Sequence, residues 1–204
     1  MGKLDEFIKI AEEAMLKHRR VEGGYGYEFY HGLRVMKLSK EIAESEELRM
    51  EKINEKCLLV GALFHDVGKA MDSDNHAEAG VEFTKKNLSH LLDEHELAVV
   101  SEIIRQHCQK RKETVEARIV SDADCIDHVG VMDVWRMFHY SAFERRSPTY
   151  TIRWFSKNKE WLMDHIKKVS FEVSRKEMRE RIKIELKLMK EFEREAACRL
   201  GRYA

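Results

Sequence analysis

Proline occurs once in this 204-residue chain, at position 148. Proline removes a backbone donor and breaks a helix interior, so a chain with a single one is free to run in long helices. Apolar residues recur at spacings of three and four, and alternating strand patterns are absent, so the sequence predicts an all-α protein. The expected helices span 3–19, 30–45, 51–67, 76–88, 93–109, 114–138, 150–168 and 174–200. Neither an internal repeat nor a low-complexity linker divides them, and the length favours one compact bundle with a helical extension. The last helix opens on "SRKE", where Ser174 can cap and Glu177 can reach back. Its expected buried stripe is Met178, Ile182, Leu186, Met189, Ala196 and Leu200, closed by Gly201.

Lysine plus arginine (37) equals aspartate plus glutamate (37), so no global basic field drives nucleic-acid binding, and a small-molecule ligand fits better. The cysteines Cys57, Cys108, Cys125 and Cys198 form no C-x-x-C pair, a usage that fits a reducing cytoplasm. No apolar run approaches the roughly 20 residues that a membrane span needs, and no leader pattern opens the chain. A cytoplasmic protein without a membrane partner is expected, with homo-oligomerisation left open.

The run "CLLVGALF", Cys57 to Phe64, is apolar nearly throughout, as in a helix buried on most sides. It ends on His65 and Asp66, which therefore point inward. A buried carboxylate costs several kcal/mol unless it is paired, protonated or metal-bound. Gly68 suits a left-handed helix-end position, and Lys69 suits the negative C-terminal end of a helix. An isolated His-Asp pair is ordinarily a helix terminus with a satisfied core histidine, so the remainder of the chain decides the matter.

Three further histidines continue buried stripes. His31 precedes Val35, Leu38 and Ile42 by four, seven and eleven residues; His107 extends Val100, Ile103 and Ile104; His76 precedes Ala79, Gly80 and Phe83, with Asp74 or Asn75 as a cap. In "SDADCID", Asp122 and Asp124 lie about 200° apart on a helix, so only one can face the site. Asp122 can pair on the surface with Arg118, four residues earlier, which leaves Asp124 as the ligand. Asp127, three after Asp124, is placed either to hold a ligand histidine or contact substrate, or simply to edge the buried stripe.

The assembled order His31, His65-Asp66, Asp124 resembles the HD-domain superfamily of metal-dependent phosphohydrolases. "HGLRV", "HDVGK", "NHAEAG" and "DADCID" match its H-x-x-R-V, H-D-x-G-K, H-x-x-x-G and D-A-D-x-x-D elements in order, over residues 28–138. The resemblance implies an HD-type helical domain over 1–138, with 139–204 as an extension packed on the same core. It implies one divalent metal (Mn, Fe, Mg, Co, Ni or Zn) held by His31, His65, Asp66 and Asp124, and hydrolysis of a phosphoester of a nucleotide or related phosphorylated metabolite.

Such a metal acidifies water and polarises a phosphoryl oxygen. Asp66, Lys69 and Asp127 are the expected catalytic groups, and Arg34, His76, His107 and Arg136 the substrate holders. Lys69 can instead complement a helix end, Arg136 can pair with Asp133, and Lys110, Arg111 and Lys112 form either a phosphate-binding run or a solvated loop. The aromatic loop Gly23 to Tyr30 could close over a base or simply pack. His107-Cys108 stands where a cyclic-dinucleotide-cleaving subgroup has two histidines, and no Gly-Tyr-Pro element follows, so that activity is not expected. Cys108, rotated about 100° from His107 on a helix, is not expected to ligate. The alternatives are an HD-type di-iron oxygenase and a non-catalytic nucleotide-sensing or RNA-associated module.

Overall fold

The computed structural model describes residues 3–16, 19–20, 24–72 and 74–197, and among them the protein is all-helical apart from one two-residue ribbon. In chain order the elements are α1 (Lys3–Met15), β1 (Arg19–Arg20) paired antiparallel with β2 (Gly24–Tyr25), α2 (Tyr27–Ala43), α3 (Glu55–Phe64), α4 (His76–Leu88), α5 (Glu94–Gln106), α6 (Val115–Asp127), α7 (Val131–Phe143), α8 (Pro148–Asn158), α9 (Trp161–Ile166) and α10 (Glu172–Ala196). Short 3-10 turns cover Glu46–Leu48 and Val67–Ala70. Gly23, the side chain of Tyr25, Cys198, Leu200 and Gly201 lie outside the described residues.

Side-chain caps set the starts of four helices. Asn54 caps α3 by accepting the Cys57 N–H at 3.1 Å, Thr114 caps α6 through Ala117, and Asp93 with Glu96 closes a capping box on α5. The lone proline sits in the first turn of α8 behind the Ser147 cap, where its missing N–H costs nothing. Asp74 and Asn75 do not cap α4; their N–H groups are held instead by Asp72 at 3.0 and 3.1 Å.

Helix α3 is the centre of the bundle. It packs against α2, α5 and α6, and Cys57, Leu58, Val60, Ala62, Leu63 and Phe64 are buried, each contributing on the order of 1–3 kcal/mol of hydrophobic stabilisation. Beyond its end, the Val67–Ala70 turn presses on α4 so closely that a Cβ on Gly68 would lie 1.9 Å from the His76 carbonyl oxygen. Gly68 is therefore required for close approach of two backbones. The left-handed conformation expected of it is found instead at Gly26 and Gly130.

Two expected helices are each broken in two. The 114–138 segment splits into α6 and α7 because Gly130 takes φ +90°, a conformation that other residues rarely adopt. The 150–168 segment splits into α8 and α9 around Lys159–Glu160. The last helix starts two residues before the "SRKE" box: Phe171 stands at its cap position, and Glu47 accepts the N–H groups of Glu172 and Val173 at 3.1 and 3.0 Å. Asp122, expected on the surface beside Arg118, is buried and accepts the N–H groups of Ser170 and Phe171 at 2.7 to 3.0 Å. Arg118 lies over the Phe171 ring instead, 4.7 Å from its centroid.

Helix α10 packs on α6, α7 and α8 through Met178, Ile182 and Met189, but the fourth inward position is Glu185, fully buried, while Leu186 faces outward. The Glu185 carboxylate accepts the Gly130 N–H at 2.7 Å, tying α10 to the α6–α7 joint. Burial, helped by the Asp133 carboxylate beside it, pushes the Glu185 pKa up from 4.5 to about 8. The folded chain thus holds a proton that the unfolded chain has lost between those values, and stability falls as pH rises through that window, by about 1.4 kcal/mol per pH unit. Glu185→Gln should flatten this slope: urea unfolding at pH 5 and pH 8 is expected to show the variant gaining stability relative to the parent as pH rises.

Candidate metal centre

The first ligand-type group is set by the end of α3. His65 occupies the position that caps the helix, and its Nδ1 donates to the Ala62 carbonyl at 2.7 Å. An acceptor at Nδ1 fixes the proton there and leaves the Nε2 lone pair facing away from the helix. His107 does the same at the end of α5, donating from Nδ1 to the Ile104 carbonyl at 2.6 Å. His31, in the first half of α2, donates from Nδ1 to Asp127 Oδ2 at 2.7 Å. Three imidazoles are therefore held in one tautomer, each with Nε2 as its unsatisfied atom.

These nitrogens converge on two carboxylates. His31 Nε2 lies 3.2 Å from His65 Nε2, 3.1 Å from Asp124 Oδ1 and 3.6 Å from Asp66 Oδ2. His65 Nε2 is 3.5 Å from Asp66 Oδ2 and 3.7 Å from Asp124 Oδ1. On the other side of Asp66, Oδ1 lies 3.5 Å from His107 Nε2 and 3.9 Å from His76 Nε2. Both Asp66 Oδ1 and Asp124 Oδ1 are buried and take no hydrogen bond. Lone pairs pointed at lone pairs across 3 to 4 Å in a buried site repel unless a cation lies among them, so the donor set fits a divalent metal. With mixed nitrogen and oxygen donors and no thiolate in the His31, His65, Asp66, Asp124 set, it suits a metal that keeps open positions.

The electrostatics carry the same message. Burial disfavours a charged His65, yet Asp66 and then Asp124 outweigh it and push its pKa up to about 9. Burial likewise opposes ionisation of Asp66, but His65 and Lys69 hold its carboxyl well below the usual range. Asp124 is held low against its burial by His128, His31 and His65. Proton and metal compete for the same nitrogen, so metal affinity must fall as pH drops.

The surrounding residues sort clearly. Lys69 is hydrogen-bonded to Asp66, with buried Glu28 also close enough to favour its charge. Asp127 takes His31 on one side and Arg34 on the other, the guanidinium lying 2.8 and 2.9 Å from its two oxygens, so Asp127 stands behind His31. Those hydrogen bonds outweigh the burial of Asp127 and hold its pKa well below the carboxylate range. Arg34 thereby commits two of its five N–H groups to Asp127. Arg136 bonds Asp133 through Nε at 3.1 Å. Lys110 and Arg111 are exposed on the loop after α5, and Lys112 bonds the Gln109 carbonyl.

The exposed Cys108 follows the end of α5, and its Sγ and one nitrogen each of His76 and His107 lie within 4.8 Å of one another. His128 was missed altogether. Its Nδ1 lies 3.0 Å from Asp124 Oδ1, and its ring packs 5.0 Å from that of His31. The signal was available in its position four residues after Asp124. Tyr27, stacked on His31 at 5.7 Å, and Glu28 were missed because α2 was expected to begin at residue 30.

A helical bundle that turns imidazoles and carboxylates from α2, α3, α5 and α6 toward one point can hold a metal ion. Residues 29–128, just under half of the chain, match the HD domain family, and the chain carries an HD domain there. No curated protein matches the sequence. Among solved structures, an HD-superfamily hydrolase from Bacillus thuringiensis is 23% identical, with 96% of this chain and 97% of that one covered and a TM-score of 0.71. An HD superfamily hydrolase from an uncultured Thermotogales bacterium is 24% identical over 94% and 92% of the two chains, with a TM-score of 0.67. Bacillus subtilis YpgQ, solved in complex with ADP, is 17% identical over 94% and 96%, also at 0.67. At these identities the likeness is one of fold.

Asp124 and Asp122 separate ligation from scaffolding. Metal analysis after purification without chelator should show Asp124→Ala losing bound metal while Asp122→Ala keeps it. Asp122→Ala should instead lose on the order of 1–3 kcal/mol of stability, because two buried N–H groups are orphaned. Equal metal loss in both variants would refute the assignment.

Proposed function

We propose that this protein is a metal-dependent phosphohydrolase that cleaves a phosphoester of a nucleotide or related small phosphorylated metabolite in the cytoplasm. The observation that carries the reading is the convergence of His31 Nε2, His65 Nε2, Asp66 and Asp124 with two carboxylate oxygens that take no hydrogen bond. The HD-superfamily hydrolases that share the fold support the class, and the ADP held by YpgQ supports a nucleotide. Among the described residues no helix is long and apolar enough to cross a membrane.

Bound there, a divalent metal supplies a Lewis acid for the phosphoryl oxygen and an acidified water as nucleophile. The chain's own groups do the rest. Asp127 keeps the Nδ1 proton of His31 in place, so that Nε2 stays a donor of its lone pair. Asp66 is positioned by Lys69, and Lys69 is the cation set to meet a phosphate oxygen once substrate competes for it. The remaining N–H groups of Arg34, with Arg136, His76 and His107, hold the other phosphate oxygens.

Release of inorganic phosphate from a panel of phosphorylated metabolites, run with each of Mn, Fe, Mg, Co, Ni and Zn, tests the proposal. Turnover should require metal and disappear in His65→Ala and Asp66→Ala while circular dichroism stays helical. Turnover retained by either variant under saturating metal would refute it.

A second reading has one specific observation behind it. Asp66 Oδ1 faces His107 and His76, with the Cys108 Sγ beside them, so Asp66 could bridge to a second metal, as a di-iron oxygenase would also require. We hold to one metal, with His76 and His107 on the substrate phosphate, because Cys108 is exposed and a thiolate would favour softer metals than the oxygen-rich first site. The metal-to-protein ratio should be near one and unchanged in His107→Ala; a ratio near two that falls to one would establish the second site.

A further inference from the structure

Beyond the metal centre, α7, α8 and α9 enclose a cavity of about 300 Å³, formed wholly by residues after the stretch that matches the HD family. Tyr140, Tyr150, Trp154 and Trp161 line it, together with Arg136 and Arg146. Such a volume is at the small end for ligand pockets, suited to one compact group rather than a whole large ligand.

The lining has an ordered chemistry. The Arg146 guanidinium lies 5.2 Å from the ring centroids of both Tyr140 and Tyr150, a stack of flat groups. Trp154 and Tyr150 are each nearly half exposed, so both present ring surface to a ligand, Tyr150 on the side that Arg146 leaves uncovered. Aromatic ring surface at the wall of a small cavity suits a planar ring.

Arg136 lines the cavity, where Asp133 holds it through its Nε, and its charge is felt at Tyr27, which stacks on His31.

We propose that this α7–α8–α9 cavity is the nucleobase subsite of the enzyme, with Trp154 and Tyr150 as its stacking faces. This rests on the nucleotide reading of the metal centre for its biological sense, though not for its test. Base stacking on an aromatic side chain is worth about 1–3 kcal/mol, or roughly five- to 150-fold in affinity.

The test is binding of adenosine, which has no phosphate to hydrolyse or to ligate metal, to the full-length metal-loaded protein by calorimetry. Saturable one-site binding is expected, weakened at least about tenfold by Trp154→Ala and largely restored in Trp154→Phe, which keeps a stacking face. Tyr150→Ala, at a separate half-exposed position, should weaken it as well. No saturable binding at millimolar adenosine, or binding that Trp154→Ala and Tyr150→Ala leave unchanged, overturns the proposal. Adenosine binding with the expected variant pattern, in a protein that releases phosphate from nothing, would sustain the subsite while removing the hydrolase reading.

Discussion

Two imidazole nitrogens 3.2 Å apart, with carboxylate oxygens of Asp66 and Asp124 at 3.1 to 3.7 Å, form an arrangement that is stable only with positive charge among them. Without a cation, a His65 pushed up to about 9 supplies that charge as a proton. The rest of the bundle bears on this cluster. Helix α3 is enclosed by α2, α5 and α6, and each of these four helices delivers a member of the cluster from its buried side or its end.

The ends of helices are where the ligands belong for a physical reason. The last carbonyls of a helix have no partner within it, and an imidazole at the cap position can satisfy one of them. His65 on Ala62 and His107 on Ile104 both do so, three residues back, and His128 does it on Asp124 four residues back. One hydrogen bond thus closes the helix, fixes the tautomer and directs Nε2 toward the site. A His-Asp pair closing a buried apolar helix is therefore a way of giving both residues a local anchor while leaving their outer atoms free. The close packing at Gly68 then keeps α4, and with it His76, against the same cluster.

The periodicity of three and four with one proline was enough for the helical fold, and the stripes behind His31, His76 and His107 were enough to turn all three toward the centre. What periodicity does not carry is where a helix stops. The break at Gly130 depends on a φ of +90°, which a glycine permits without announcing. Nor does it carry exceptions to burial. Asp122 reads as a surface residue because charged side chains usually are, and Glu185 falls outside the apolar stripe of the last helix, yet each is buried to satisfy backbone N–H groups of a segment distant in sequence. Their partners, at 170–171 and 130, share no periodicity with them. His128 is legible from its spacing, four residues after Asp124 and so on the same helical side.

The candidate metal donors and the aromatic cavity fall on different parts of the chain. The donors come from residues 31 to 128, whereas the cavity is built from residues 133 to 161. Arg136, on α7, lines the cavity and is held there by Asp133, while Glu185 of α10 holds the Gly130 N–H just before α7 begins. A bundle arranged in this way can keep its donors fixed while its later helices vary, because a substitution on α8 or α9 alters the cavity wall without touching the hydrogen bonds that orient His31, His65 and His107.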